Sequence, residues 1–205
     1  MIDNLELIKP LLNFEKEGDF YQLFVFLRKK DQSTDKANHQ SVRTIKSYCI
    51  TSTEYLEDRY EEIKMLCEVF KARAYIHVAK QNHYDVGLNM ITEIITRIQS
   101  GQINQKNVFD SVVGQIKTNE KRWIVDIDTH KISTRNLFIN IIERIRPLGI
   151  SKIDAVIPTK NGIHLITKRF DVNEFHNQLK EKGVEIPDIQ KKNTTLLYYP
   201  NSLEQ

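Results

Sequence analysis

The stretch KRWIVDIDTHKISTRNLFINIIERIRPLGISKIDAVIPTKNGIHLITK, residues 121–168, decides the fold. It opens on an apolar run from Trp123 to Asp128 that is short and β-branched enough to be a strand. Leu137, Phe138, Ile141, Ile142 and Ile145 then recur at helical spacing and predict an amphipathic helix, which Pro147 and Gly149 stop. KIDAVIP and GIHLITK read as two strands joined by a turn containing Thr159, Lys160, Asn161 and Gly162. Further on, Asp171 with Glu174 makes a capping box for a helix ending at Gly183, and TTLLYYP reads as a last strand that closes the unit.

The order β, α, β, β, α, β is the split-βαβ, ferredoxin-like (RRM-like) plan, a four-stranded sheet with helices on one face. The other face is left for a ligand or for the first half of the chain. In that first half, YQLFVFLRKK and SVRTIKSYCITS predict a hairpin around the polar loop DQSTDKANHQ, after a short helix or arm ending near Gly18. Leu56, Tyr60, Ile63, Cys67 and Phe70 give a helix that Ser52 or Thr53 can cap. RAYIHVA returns to strand chemistry, and Val86, Met90, Ile91, Ile94, Ile95 and Ile98 predict a second helix that Gly101 terminates. The polar stretch from Gln102 to Glu120, with one apolar-periodic piece around Val108 to Ile116, is the expected junction. The expectation is an α/β (α+β) chain: an N-terminal α/β unit at 1–118 packed on an RRM-like unit at 119–205, together one compact two-lobed domain.

At 205 residues, 40% hydrophobic and 28% charged, the chain can bury a core and does not have the composition of a disordered one. Its apolar runs fall short of the ~20 residues a membrane helix needs, and MIDNLELIKP carries acids where a signal peptide carries bases. A cytoplasmic protein with no membrane partner is expected. Cys49 and Cys67 read as reduced core residues, too few for a disulfide framework or zinc knuckle. The formal charge of +3 permits nucleic-acid binding without arguing for it. His77, His83, His130 and His176 lack zinc-site spacing, and no Walker loop, G-x-S-x-G elbow or H-x-T pair occurs.

Asp126 and Asp128 stand two apart at the end of the WIVDID strand, so both side chains point to one face with about 7 Å between their α-carbons. Two convergent carboxylates suit a hard divalent cation, Mg2+ or Mn2+; the plain alternative is a turn and a salt bridge. His164, between Ile163 and Leu165, faces the opposite side from them, where an imidazole can meet a phosphate or serve as a hydrogen-bonded structural residue. Arg28, Lys29 and Lys30, with Arg43, Lys46 and Arg73, are candidates for a groove that tracks phosphates, or for a solvated strand end.

WIVDID followed by TKNGIHLI resembles the first two motifs of the archaeo-eukaryotic primase (primase-polymerase) superfamily, an hhhDhD strand and a Ser/Thr-x-x-Gly-x-His hairpin on one RRM-like sheet. The resemblance implies a nucleotidyltransferase in which Asp126 and Asp128 hold the divalent ions and His164 contacts the incoming triphosphate. Thr159, Lys160 and Asn161 would lie at the turn approaching that triphosphate; Arg28 and Arg73, from the basic set above, are the further candidates for binding substrate. Nucleoside triphosphates, a single-stranded or primed DNA or RNA template and an accessory replication protein would be the partners. The family carries a third acid on a later strand, and TTLLYYP offers none. Asp154, Asp171, Glu185 and Asp188 are the candidates, Asp154 first because it lies on the strand of the hairpin that precedes His164. The zinc element common near primase sites has no counterpart here. A non-catalytic nucleic-acid or protein-binding module on the same fold is the alternative.

Overall fold

The computed structural model describes residues 1–28, 43–102, 108–115, 122–191 and 194–201. The polar loop at 31–40, Lys29, Lys30 and the junction residues at 103–107 and 116–120 lie outside them.

Two antiparallel sheets share a mixed α/β fold. In the first, β2 (Asp19–Leu27) and β3 (Arg43–Ile50) form the expected hairpin, Tyr21 opposite Ile50. The sheet continues from β2 through β4 (Arg73–His77) to β10 (Thr194–Tyr199) and β1 (Ile2–Asp3), and the short β5 (Gln81–Asn82) pairs with the start of β2. TTLLYYP therefore does not close the second unit. As β10 it lies between β1 and β4, where Leu196, Leu197, Tyr198 and Tyr199 are all buried. A strand apolar on both faces belongs inside a sheet covered on both sides, and the place between β1 and β4 is such an interior position.

Alternation assigns the faces of β2. Tyr21, Leu23 and Val25 join the core beneath α2 (Thr53–Phe70), whose Leu56, Tyr60, Ile63 and Cys67 are buried at helical spacing. Ser52 caps that helix by accepting from Tyr55 N, and Phe70, expected on the buried face, is 43% exposed at its C-terminal end. Phe20 faces the other way, against Val86 of α3 (His83–Gln99) and Val108, Val112 and Val113 of α4 (Val108–Gln115). The junction segment thus contributes a packed helix to the first lobe. Helix α1 (Leu5–Ile8) runs on into a short 3-10 turn, Lys9–Leu11, and buries Ile8 and Leu11 in the main core.

The second sheet has the order β7 (Ile153–Pro158), β8 (Ile163–Thr167), β6 (Trp123–Ile127), β9 (Asp188–Gln190), all neighbours antiparallel. Its fourth strand comes from EIPDIQ, where Pro187 argues against a strand in the sequence alone. A proline directly before a short edge strand costs no ladder bond, so the segment pairs after all. Helices α5 (Ile132–Arg144) and α6 (Val172–Glu181) cover one face through Phe138, Ile141, Ile142, Phe175 and Leu179, packed on Val125, Ile127 and Leu165. Asp171 accepts from Glu174 N at 3.0 Å, as the capping box predicts.

The opposite face presents Ile124, Ile157 and Ile166, which enter the first lobe's core beside Ile8, Leu11 and Leu197. Buried Asn4 stitches the lobes there, its Nδ2 donating to Pro158 O and Leu196 O, both at 2.9 Å. Among the described residues no helix is long and apolar enough to cross a membrane.

His77, beside Phe24 with ring centres 5.9 Å apart, is pushed by burial down to about 4 from an ordinary 6.5. The unfolded chain therefore takes up this proton first. Its contribution is intact above pH 6.5 and is lost progressively as pH falls towards 4, by at most about 3 kcal/mol. His77→Gln is expected to move the midpoint of acid unfolding, followed by circular dichroism, to lower pH. An unchanged midpoint would show that His77 titrates alike in both states.

Candidate active site in the cleft between the sheets

Where the apolar packing between the lobes ends, a cavity of about 320 Å³ opens. Eight of the residues singled out in the sequence line it: Asp126, Asp128, Thr159, Lys160, Asn161 and His164 from the second sheet, Arg28 and Arg73 from the first. Their convergence follows from register. Asp126 is directly opposite His164 on β8 and directly opposite Asp188 on β9, so all three side chains share one face, with Asp128 one strand repeat further on.

The imidazole is buried, with Nε2 3.6 Å from Asp126 Oδ1 and Nδ1 3.0 Å from Thr195 Oγ1. Burial, against the pull of Asp128 and with the push of Arg28, brings its pKa down to about 4. At neutral pH it is uncharged, so its approach to Asp126 is a polar contact and not an ion pair. Asp126 is shifted the other way: burial first, then the negative charges of Asp128 and Asp188, push its carboxyl up, with Arg28 opposing. A half-buried carboxylate flanked by two others is a site that a hard cation would relieve.

The hairpin comes very close to the carboxylate strand. Thr159 N donates to Gly162 O at 3.0 Å and Gly162 N to Thr159 Oγ1 at 3.1 Å, which closes the turn. A side chain at Gly162 would run into the Ile127 carbonyl and lie 2.8 Å from Thr129 N, so only glycine lets this turn seat against the stretch between Asp126 and Asp128. Lys160 Nζ and the Arg73 guanidinium lie 5.3 and 4.8 Å from the centre of the Tyr199 ring, which holds two cations at the cavity wall.

The other sequence candidates are placed elsewhere. Lys46 pairs with Glu62 of α2 and lies 4.9 Å over Tyr48, on the α2 side of the first sheet. Arg43 is at the exposed end of β3, opposite Leu27. Asp154, the first choice for a third acid, stands at the far end of the second sheet, 3.2 Å from Arg122 Nε and 3.9 Å from Lys168 Nζ. Asp171 is occupied as the cap of α6, and Glu185 precedes β9 in an irregular stretch. Asp188 is the candidate whose register brings it beside Asp126; its Oδ2 accepts from Gln190 Nε2 at 2.8 Å.

Sequence reading passed over Phe26, Tyr75, Gln190, Thr194 and Leu196, which complete the lining, and Thr195, which holds the imidazole. Phe26 and Tyr75 stack on each other at 4.8 Å on the first-sheet side. Alternation in VFLRKK, which puts Phe26 on one face with Arg28, was the available signal for Phe26. Among the described residues no group of three or more His, Cys, Asp or Glu side chains is disposed to hold a metal ion. The donors nevertheless suit one, since magnesium takes one or two protein carboxylates and completes its shell with water and phosphate. No family model, curated protein or solved structure matches the chain.

Proposed function

We propose that the cleft is the active site of a divalent-metal-dependent nucleotidyltransferase, a minimal primase-polymerase core that joins nucleotides on a DNA or RNA template. What carries this reading is the cross-strand row His164, Asp126 and Asp188, with Asp128 on the same face and Arg28 and Arg73 across the same cavity. Strand order adds support. Numbered within the second unit, β7-β8-β6-β9 is 2-3-1-4, the order of an RRM-like βαββαβ sheet whose two central strands here bear the D-x-D and G-x-H motifs.

Asp126 and Asp128, joined by Asp188, would hold Mg2+ or Mn2+. When bound, the ions neutralise the triphosphate and activate the attacking 3′-hydroxyl, the two-metal logic of in-line displacement. His164, kept neutral by burial and oriented by Thr195, offers a hydrogen bond to a phosphate oxygen without adding charge. Arg28, Arg73 and Lys160 supply the positive wall along which a triphosphate or template backbone lies, and Tyr199 restrains two of them. Thr159 shapes the turn, and Asn161, exposed at its tip, is free to donate to a phosphate.

The second reading, a non-catalytic nucleic-acid or protein-binding module, draws on one observation, the absence among the described residues of a three-ligand cluster. Primer extension with Mn2+ separates the two. Asp188→Asn is expected to lower extension at least ~10²-fold by removing a ligand charge. Asp154→Asn, which touches Arg122 and Lys168 and not the cleft, should stay within about 3-fold of wild type. Equal losses in the two variants would exclude Asp188 from the site. No extension and no triphosphate binding by folded wild-type protein would leave the binding module.

A further inference from the structure

Helix α3 is apolar on two sides. Val86 is buried towards α4, with Met90 and Ile94 packed on the same cluster, and that side is the one sequence periodicity anticipated. Ile91, Ile95 and Ile98, expected on that buried side, instead face away with Tyr84 and Leu88, and the five are 65, 66, 58, 50 and 62% exposed in the order Tyr84, Leu88, Ile91, Ile95, Ile98. Their spacing is four, three, four, three. A surface helix of a globular protein needs one apolar stripe, and a second stripe at strict heptad spacing is the seam of a helix pair.

We propose that this seam is the interface of a two-fold dimer, in which α3 of one copy packs antiparallel against α3 of a second copy. The seam is self-complementary in that direction. With Ile91 on the two-fold axis, Leu88 meets Ile95 and Tyr84 meets Ile98 of the second copy, so every large side chain finds an apolar counterpart.

Charge selects the same direction. Glu93 and Arg97 neutralise each other at 2.7 Å. Asn89 Nδ2 donates to Asp85 O, the Thr92 hydroxyl to Leu88 O and the Thr96 hydroxyl to Thr92 O, which turns these polar neighbours onto the helix's own backbone. Asp85 remains as the charge beside the start of the seam. Parallel pairing would put two Asp85 side chains together, whereas antiparallel pairing separates them by about 20 Å, well beyond the ~8 Å over which salt leaves charges visible to each other.

Area is sufficient as well. The five residues expose on the order of 600 Å² on one copy, at the top of what a monomer usually leaves in one apolar patch. Doubled across the axis this is about 1,200 Å², above the ~1,000 Å² that a specific interface should clear.

Sedimentation of the full chain over roughly 1–200 μM should show a wild-type dimer. Ile91→Glu and Ile91→Lys each place like charges face to face on the axis, and each should weaken the dimer at least ~100-fold. Mixing these two variants should restore it, and because Ile91 is exposed in the single copy, their melting temperatures should match wild type once it is diluted below its dissociation constant and fall below it at concentrations where wild type is dimeric. For direction, oxidation of mixed Tyr84→Cys and Ile98→Cys should yield a disulfide-linked heterodimer that neither variant forms alone. Wild type that is monomeric throughout, or Ile91→Glu that dimerises like wild type, overturns the proposal. Tyr84→Cys linking to itself overturns the antiparallel arrangement.

Discussion

Asp126→Asn with Asp128→Asn is expected to abolish metal-dependent nucleotide transfer, a loss of at least ~10³-fold, while oligonucleotide binding without metal stays unchanged or tightens. The two effects have opposite electrostatic origins. Both carboxylates line the cleft opposite Arg28, and without a cation their charge repels phosphates that Arg28, Arg73 and Lys160 attract. Asn keeps the shape and hydrogen-bonding reach and removes the repulsion. It also removes the charge that would hold the ions, which is why transfer fails as binding improves. Fluorescence anisotropy with single-stranded and primed oligonucleotides, with and without Mn2+, beside an extension assay on the same preparations, reads both quantities. Transfer that survives the double substitution would dismiss the site; binding that collapses without metal would show that the carboxylates hold the cleft together and do not repel its ligand.

The raised pKa of Asp126 sharpens the expectation. Burial and the neighbouring Asp128 and Asp188 disfavour its charged form, so in the absence of metal it retains its proton to a higher pH than an ordinary aspartate. A divalent ion would reverse this and expel the proton on binding. Neutral His164 does not compete for the position, because protonating it under burial is costly until pH falls to about 4. Acid would therefore weaken the proposed cation binding through Asp126.

The parts of this arrangement that were legible in the sequence are those in which a short local pattern carries its own geometry. D-x-D on a strand puts two carboxylates on one face whatever surrounds it, and G-I-H with T-K-N before it sets a turn and an inward imidazole. Helix α5 with its stop at Pro147 and the capping box at Asp171 are local in the same sense. What was misread depends on partners distant in the chain. TTLLYYP has the composition of any buried strand, and nothing within it says that β1 and β4 will be its neighbours in place of β6. Pro187 argues against a strand until the segment is seen to lie at an edge, and Asp188 becomes the neighbour of Asp126 through that pairing alone. Asp154 was favoured for its strand, but a β-bulge between Ile153 and Ala155 and an ion pair with Arg122 hold it at the far end of the sheet. Periodicity likewise gathered Ile91, Ile95 and Ile98 onto the buried side of α3, because a helix with two apolar stripes looks from its sequence like a helix with one wide stripe.

Gly162→Ala is the second large effect, expected to cost about 3 kcal/mol of stability, at the upper end for an overpacked site, and to lower activity further than that loss of stability explains. The added methyl would run into backbone of the stretch after β6: the Ile127 carbonyl oxygen and carbon, and Thr129 N. A flexible side chain could swing away, but these atoms belong to the strand end itself. Ile127 pairs with Ile163 and lies between Asp126 and Asp128, so relieving the collision means moving the D-x-D segment away from the β7–β8 hairpin or opening the turn that Thr159 closes. Either shift changes the spacing of the carboxylates from His164 and Lys160, and displacements near 1 Å at reacting groups are enough to cost ~10²-fold. Gly114→Ala supplies the comparison, since Gly114 is helical with nothing within 4 Å of the added carbon, and there alanine should be neutral or stabilising by up to ~1 kcal/mol. Urea unfolding gives the stability difference, and Mn2+-dependent extension well below the unfolding midpoint gives the activity of protein that is still folded. Gly162→Ala with wild-type stability and wild-type activity would mean that the hairpin does not depend on this close approach, and the positioning of His164 against Asp126 would then need another cause.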